Sequence, residues 1–262
     1  MQEEGGATQA EALTERGNAR RLAADFAGAE RDFHVASRLL AQVGGDPLAT
    51  AELLSLRASL AKARAQFQAA IALASQSHRL YAVNGQANGA LASLTQLGAF
   101  HGYAGNSEVG IEILGRALDL ALDIGDSQDI LHVANNLALV FTEAGLAADA
   151  TTLVNRAREL CTQVGTWSDE LRLEWLAARI EAAAGHCELA ARILEGLIPW
   201  CRHEALVFEE AQVKLELAVI HLRLGRSASA KRFAAEAADR FRSIGSEHDQ
   251  ERARAVLSHL AT

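Results

Sequence analysis

The sequence predicts an all-α fold made of about six helical hairpins and a C-terminal capping helix, with no β-sheet. Half of the 262 residues are apolar and only two are proline, a composition typical of helices. Glycines recur every forty residues, where a helix has to turn back, at Gly105, Gly145, Gly185 and Gly225. Small residues form two more columns with the same period, which indicates that two helices approach closely in every repeat. These columns are Ala58, Gly98, Ala138, Ala178 and Ala218, and Ala70, Gly110, Ala150, Ala190 and Ala230.

The most regular hairpin is predicted between Asp126 and Gly165. In its first helix, Ala134, Leu137 and Ala138 lie at the spacing of one apolar helix face. The second helix repeats this spacing, and Gly145 allows the tight turn between the two. A fixed period of this length indicates a solenoid, in which each hairpin buries its apolar face against the next.

We expect one domain over residues 1–262, with repeats at about 7–44, 45–84, 85–124, 125–164, 165–204 and 205–245 and a capping helix at 246–261. The polar, glycine-rich segment from Met1 to Gly6 is expected to fray, and the first helix to begin at about Thr8.

Two junctions are expected to depart from the period. The first repeat is one residue out of register, and the extra residue is absorbed at Gly44-Gly45, before Asp46-Pro47 opens the next helix as N-cap and first helical residue. In repeat five, Pro199 is expected to stop or kink the second helix after Ile198.

The small-residue columns, together with the NNLA run at 135–138 and the RALDLALDIGD run at 116–126, resemble the tetratricopeptide repeat. The period of forty residues departs from the usual thirty-four or so and is similar to the longer forms found in kinesin light chains and bacterial regulators. HEAT-type repeats share this length, but the small-residue columns favour the tetratricopeptide form. The resemblance implies a right-handed α-solenoid that binds partners along the concave face formed by the first helix of each repeat.

Charge and composition argue against several classes of function. The formal charge is -8 and the estimated pI is near 5.6, so nucleic acid is not an expected partner. No apolar stretch approaches the ~20 residues that span a bilayer, and the N-terminus does not read as a signal peptide. We therefore expect a soluble cytoplasmic protein with no membrane partner.

No catalytic motif, cofactor site or metal site is predicted. The three cysteines and nine histidines show no ligand spacing, and the glycines mark turns without forming a phosphate loop. His101 and His221 occupy the same column as Phe141, so partly buried structural histidines are expected there. No enzyme activity is expected.

Candidate partner-binding residues follow from the resemblance, which places the groove about thirteen, ten, six and three residues before each turn. The candidate residues are Thr95, His132, Asn135, Arg172, Trp175, Arg179 and Gln212. Asn135 matches a position where the family often uses asparagine to hold a ligand's main chain. An amide both donates and accepts hydrogen bonds, but a bond to the neighbouring helix would explain the residue equally well.

Repeat five carries the most distinctive pattern. Arg172, Trp175 and Arg179 place an aromatic ring between two guanidinium groups on one helix face, a combination enriched at interface hot spots. These residues could hold a carboxylate next to an apolar side chain. In the alternative, Trp175 packs against repeat four and the arginines pair with Glu174 or Glu181.

These features predict a non-catalytic scaffold or adaptor that binds a protein or peptide with an acidic feature. The alternative is a sensory or regulatory module of a bacterial signalling or transcription-control system, which binds a peptide or small effector. Self-association through the exposed end of the array is compatible with either.

Overall fold

The computed structural model describes residues 2–260, and their side chains from Gly5 onward. Within this part of the chain there are thirteen α-helices and no strand. They are α1 (Gln2–Leu22), α2 (Phe26–Gln42), α3 (Pro47–Ala63), α4 (Phe67–Val83), α5 (Ala87–Tyr103), α6 (Ser107–Ile124), α7 (Ser127–Glu143), α8 (Ala147–Val164), α9 (Trp167–Ala183), α10 (Cys187–His203), α11 (Val207–Arg223), α12 (Ser227–Ser243) and α13 (Glu247–His259). None of these helices is both long enough and apolar enough to cross a bilayer.

The chain divides into two compact units, Met1–Gly125 and Asp126–Thr262. Unit 1 holds the hairpins α1/α2, α3/α4 and α5/α6. Unit 2 holds α7/α8, α9/α10 and α11/α12, and α13 packs on α12. In each unit the helices mainly contact their neighbours in the chain, as expected for helical repeats.

Every hairpin turns through three residues, and the middle residue adopts a left-handed conformation. At Gly145, φ is 76°, and the Leu146 N–H donates to the Phe141 carbonyl at 2.8 Å, which caps the end of α7. Ala24 and Ala65 hold the same position with φ of 59° and 56°, so the turn geometry is kept even where the residue carries a Cβ.

The small-residue columns lie where the two helices of a hairpin touch. Ala138 and Ala150 are fully buried. At Gly98, an added Cβ would lie 2.6 Å from Leu114 Cγ and 3.2 Å from the Gly110 carbonyl oxygen. Only small residues allow the helices to approach this closely, as the sequence predicts.

Two expectations about helix ends are wrong. The first helix begins at Gln2 instead of about Thr8, and Gly6 packs close to Val43, which supports this early turn. Met1 lies outside the described residues. The helix that contains Pro199 does not stop there but continues to His203, so the expected stop is wrong, while the expected kink stays a prediction. Leu197, Ile198 and Cys201 on either side of the proline bury an apolar face that favours continuation.

Candidate functional site

We define the first-helix face of unit 2 as the row of side chains that α7, α9 and α11 contribute at the predicted groove positions. Six of the seven candidate residues belong to this row. They are His132, Asn135, Arg172, Trp175, Arg179 and Gln212. The seventh, Thr95, lies on α5 in unit 1.

Thr95 is buried, and its hydroxyl donates to the Leu91 carbonyl at 2.9 Å, so it is occupied within its own helix. The next residue, Gln96, makes the contacts between repeats. It accepts a hydrogen bond from the Ser55 hydroxyl at 2.9 Å and donates to the Ser59 hydroxyl at 3.3 Å. The predicted position in unit 1 was therefore one residue away from the side chain that links α3 to α5.

Trp175 and Arg179 both contact Glu216. The Trp175 indole N–H donates to Glu216 Oε2 at 2.8 Å, and Arg179 Nε lies 3.7 Å from Glu216 Oε1. The guanidinium of Arg179 also pairs with Glu143 on α7. Arg179 thus sits between two carboxylates, one from the preceding first helix and one from the following one.

The environment of Glu216 is unusual for a carboxylate. Burial raises its pKa above the ordinary value, and the charge of Arg179 and the hydrogen bond from Trp175 oppose this only in part. Both interactions are stronger with the ionised form, so they compensate only part of the cost of burying the Glu216 charge.

A second network surrounds His132. Its Nε2 lies 3.3 Å from Asp169 Oδ1 and 3.1 Å from Nε2 of Gln128, which also donates to Asp169 at 3.1 Å. Asp169 is buried and accepts from the backbone N–H and the hydroxyl of Thr166, which caps α9. Burial works against the ionised Asp169, but these hydrogen bonds outweigh it and hold its pKa below the ordinary value.

Asn135 differs from its neighbours because its amide is buried without a partner. The residue is only 8% exposed, and neither its Oδ1 nor its Nδ2 has a hydrogen-bond partner among the described residues. The bond to a neighbouring helix that would have explained this asparagine is thus not formed. A buried unpaired amide costs on the order of 1–3 kcal/mol, so such groups call for an explanation.

The remaining two candidates are less constrained. Arg172 is exposed, and its guanidinium makes no ion pair within residues 5–260. Gln212 is half-buried on α11. The arginine partners considered from sequence are engaged elsewhere, since Glu174 pairs with Arg158 and Glu181 with His186, each at 2.7 Å.

Trp175 packs partly against apolar residues of its own and the following repeat, including Leu171 and Val213. Sequence reasoning missed Glu143, Glu216, Gln128 and Asp169. Among the described residues, three hydrogen bonds between side chains join residues forty-one positions apart in neighbouring repeats, namely Ser55–Gln96, Gln128–Asp169 and Trp175–Glu216. This separation is one residue more than the repeat period. A search for polar pairs at this spacing in the sequence could have identified Asp169 and Glu216 as partners.

Among the described residues, no group of three or more His, Cys, Asp or Glu side chains is placed to hold a metal ion. His221 is buried and stacks on Phe233 with ring centroids 5.4 Å apart, while Glu195 Oε1 lies 3.5 Å from its Nε2. His221 therefore contributes to packing.

Several solved structures are similar over nearly the whole chain. A Rap protein complexed with competence and sporulation factor is 15% identical, with a TM-score of 0.71 over 98% of this chain and 77% of that one. The Rap conjugation gene regulator of plasmid pLS20, complexed with the Phr* peptide, is 14% identical over 94% of this chain and 72% of that one, with a TM-score of 0.67. NprR in complex with its cognate peptide NprX is 11% identical over 97% and 71%, with a TM-score of 0.67.

The chain has the fold of a tetratricopeptide-type repeat protein. No family model matches the sequence, and neither does any curated protein. In this tetratricopeptide-type fold, the first-helix face of unit 2 gathers one unpartnered amide, one unpaired guanidinium and a tryptophan held by a carboxylate.

Proposed function

We propose that this tetratricopeptide-type protein is a non-catalytic binding module that holds an extended protein or peptide segment on the first-helix face of unit 2. The observation that carries the proposal is the buried, unpartnered amide of Asn135. An amide can donate to a main-chain carbonyl and accept from a main-chain N–H, so it recognises a peptide backbone of any sequence.

An acidic feature of the partner is the finer part of the proposal, and Arg172 is the residue that supports it. Arg179 already pairs with Glu143 and Glu216, so its charge is neutralised within the fold. Arg172 is exposed and unpaired within residues 5–260, and a guanidinium can hold a carboxylate through two parallel hydrogen bonds.

Peptides bound to proteins of similar fold support the proposal of a peptide-binding module. The pLS20 regulator was solved with the Phr* peptide and NprR with its cognate peptide NprX. These names also favour a second function for this chain, a sensory module of a regulatory system that responds to a peptide. The two functions differ in whether binding changes the protein, which a shift in melting temperature or scattering radius on ligand addition would show.

A photo-crosslinking amino acid placed at Arg172 tests the proposal in cells of the native host. The matched control carries the crosslinker at Arg192, which is exposed on the second helix α10 of the same hairpin. We expect a discrete crosslinked partner from position 172 and none of it from position 192. Equal crosslinking from both positions, or none from position 172, contradicts the proposal.

A further inference from the structure

A separate cleft lies in unit 1, between the second helix α2 of the first hairpin and both helices of the next hairpin, α3 and α4. The connection from α2 to α3 covers residues 43–46 and is the longest between the described helices. Both of its glycines adopt left-handed backbone angles, with φ of 80° at Gly44 and 55° at Gly45. The cleft has a volume of about 220 Å³. It is lined by residues 30–34 of α2 and 57–61 of α3, so it is away from this connection.

The floor of this cleft is apolar. Phe33 from α2 and Leu60 from α3 form the buried part, and Leu73 from α4 closes one side. Exposed Gln66 and Ala69 lie at the mouth, so the cleft opens to solvent. An apolar side chain that entered it would be removed from water at a gain of roughly 25 cal/mol per Å².

The rim is positively charged. Arg64 pairs with Glu30 at 2.6 Å, so these two charges balance each other. Arg57 is half-buried, and its guanidinium has no ion-pair or hydrogen-bond partner among the described residues. A guanidinium held beside an apolar floor without a counter-charge favours an anion at that point.

We propose that this cleft binds the C-terminal carboxylate of a polypeptide whose last side chain is apolar. Arg57 holds the carboxylate, and the floor of Phe33, Leu60 and Leu73 takes the side chain. The volume is below the roughly 300 Å³ at which drug-sized sites begin, so it suits one side chain and its carboxylate. The open mouth lets the rest of the polypeptide leave into solvent. This site is independent of the first-helix face of unit 2.

Methyl NMR of the full chain tests the proposal, with Leu60 and Leu73 as reporters. The probe is the N-acetylated peptide Ala-Ala-Ala-Leu with a free C-terminus, and its C-terminal amide is the matched control. We expect saturable shifts of both leucines with the free acid, and at least about fivefold weaker binding of the amide, which corresponds to roughly 1 kcal/mol.

Arg57→Gln is expected to abolish the preference for the free acid. Arg116→Gln, at an exposed arginine of α6 in the same unit, is expected to keep it. Equal binding of acid and amide by the wild-type protein, or no shift at either leucine, overturns the proposal without any variant. Acetyl-leucine binding as tightly as the peptide also overturns it, because the ligand would then be a free small carboxylate.

Discussion

The indole N–H of Trp175 on α9 donates a hydrogen bond to the carboxylate of Glu216 on α11 at 2.8 Å. This bond ties one repeat to the next at the centre of the proposed binding face. It also fixes the ring orientation of a residue that sequence alone presents as a free hot-spot aromatic. The proposed binding face of unit 2 is therefore preorganised by an internal carboxylate.

Glu216→Gln is expected to be more stable relative to the wild type at neutral pH than near pH 4. The raised pKa of Glu216 means that the folded protein keeps a proton that the unfolded chain releases above its ordinary value of 4.5. The contribution of Glu216 to the stability of the wild type is therefore fully present below pH 4.5 and is lost as the pH rises through the pKa of the folded state. The glutamine still accepts from Trp175 but carries no charge to desolvate.

Urea denaturation of both proteins between pH 4 and 8 measures this difference. All other titrating groups are shared, so their contributions cancel between the two proteins. A difference in unfolding free energy that stays constant across this range would show that Glu216 titrates normally.

Asn135→Ala is expected to separate stability from binding. Removing a buried amide that has no partner should leave the free energy of unfolding unchanged or raise it by up to about 1 kcal/mol. If Asn135 had a structural role instead, its replacement should lower the free energy of unfolding by about the same amount. Thermal melting of the purified variant distinguishes the two signs, and a clear fall in melting temperature counts against a ligand-facing role.

The turn residues are expected to respond to substitution with opposite signs. Gly145→Ala should cost about 1 kcal/mol, because alanine is strained at a φ of 76° while no atom lies near the new Cβ. Ala65→Gly should raise the free energy of unfolding by a somewhat smaller amount, because it relieves the strain at a φ of 56°.

Gly196→Ala provides the matched control for this pair. Gly196 is exposed within α10 and has open space at its Cβ position, so alanine there should stabilise by roughly 0.5–1 kcal/mol. Melting temperatures of the three variants measure the effects. A loss of stability at Gly196 equal to that at Gly145 would refute the conformational explanation.

A buried ion network in unit 2 makes Lys214 sensitive to substitution. Its ammonium is 2.7 Å from Glu210 and 2.8 Å from Glu236, and Arg202 also reaches Glu210 at 2.9 Å. Lys214→Met should cost about 3 kcal/mol, because it leaves the buried Glu210 carboxylate with only the exposed Arg202 as partner.

The double variant Lys214→Met/Glu210→Leu should recover most of this loss, since both buried charges are then removed together. Chemical denaturation of the single and double variants measures the coupling between the two residues. Strictly additive losses would mean that the pair does not interact as described.

The forty-residue period predicted the hairpins because it reports a local requirement. A turn that needs a left-handed residue and a helix crossing that needs a small one leave marks at fixed positions, as at Gly145 and Ala138. Even the alanine at position 65 kept that geometry. The extra residue at Gly44-Gly45 was likewise predicted, and the connection there is one residue longer than the hairpin turns.

The site was harder to predict because its decisive contacts join different helices. Arg172, Trp175 and Arg179 share one helix face, and spacing within that helix suggests that they act together. The structure instead pairs Arg179 with Glu143 and Glu216 on two other helices, and of the two arginines on this helix face only Arg172 stays unpaired within residues 5–260. Pairing across a repeat boundary depends on the offset between neighbouring helices, which no single helix reveals.

The most direct test of the central claim is affinity capture from a lysate of the native host, with recovered peptides and proteins quantified by mass spectrometry. Wild type, Asn135→Ala and the exposed control Arg192→Ala serve as baits. Two hydrogen bonds lost from Asn135 should weaken binding by about tenfold or more, so a partner recovered by wild type and by Arg192→Ala should be depleted with Asn135→Ala. Equal recovery of every partner by all three baits would contradict binding at the first-helix face of unit 2.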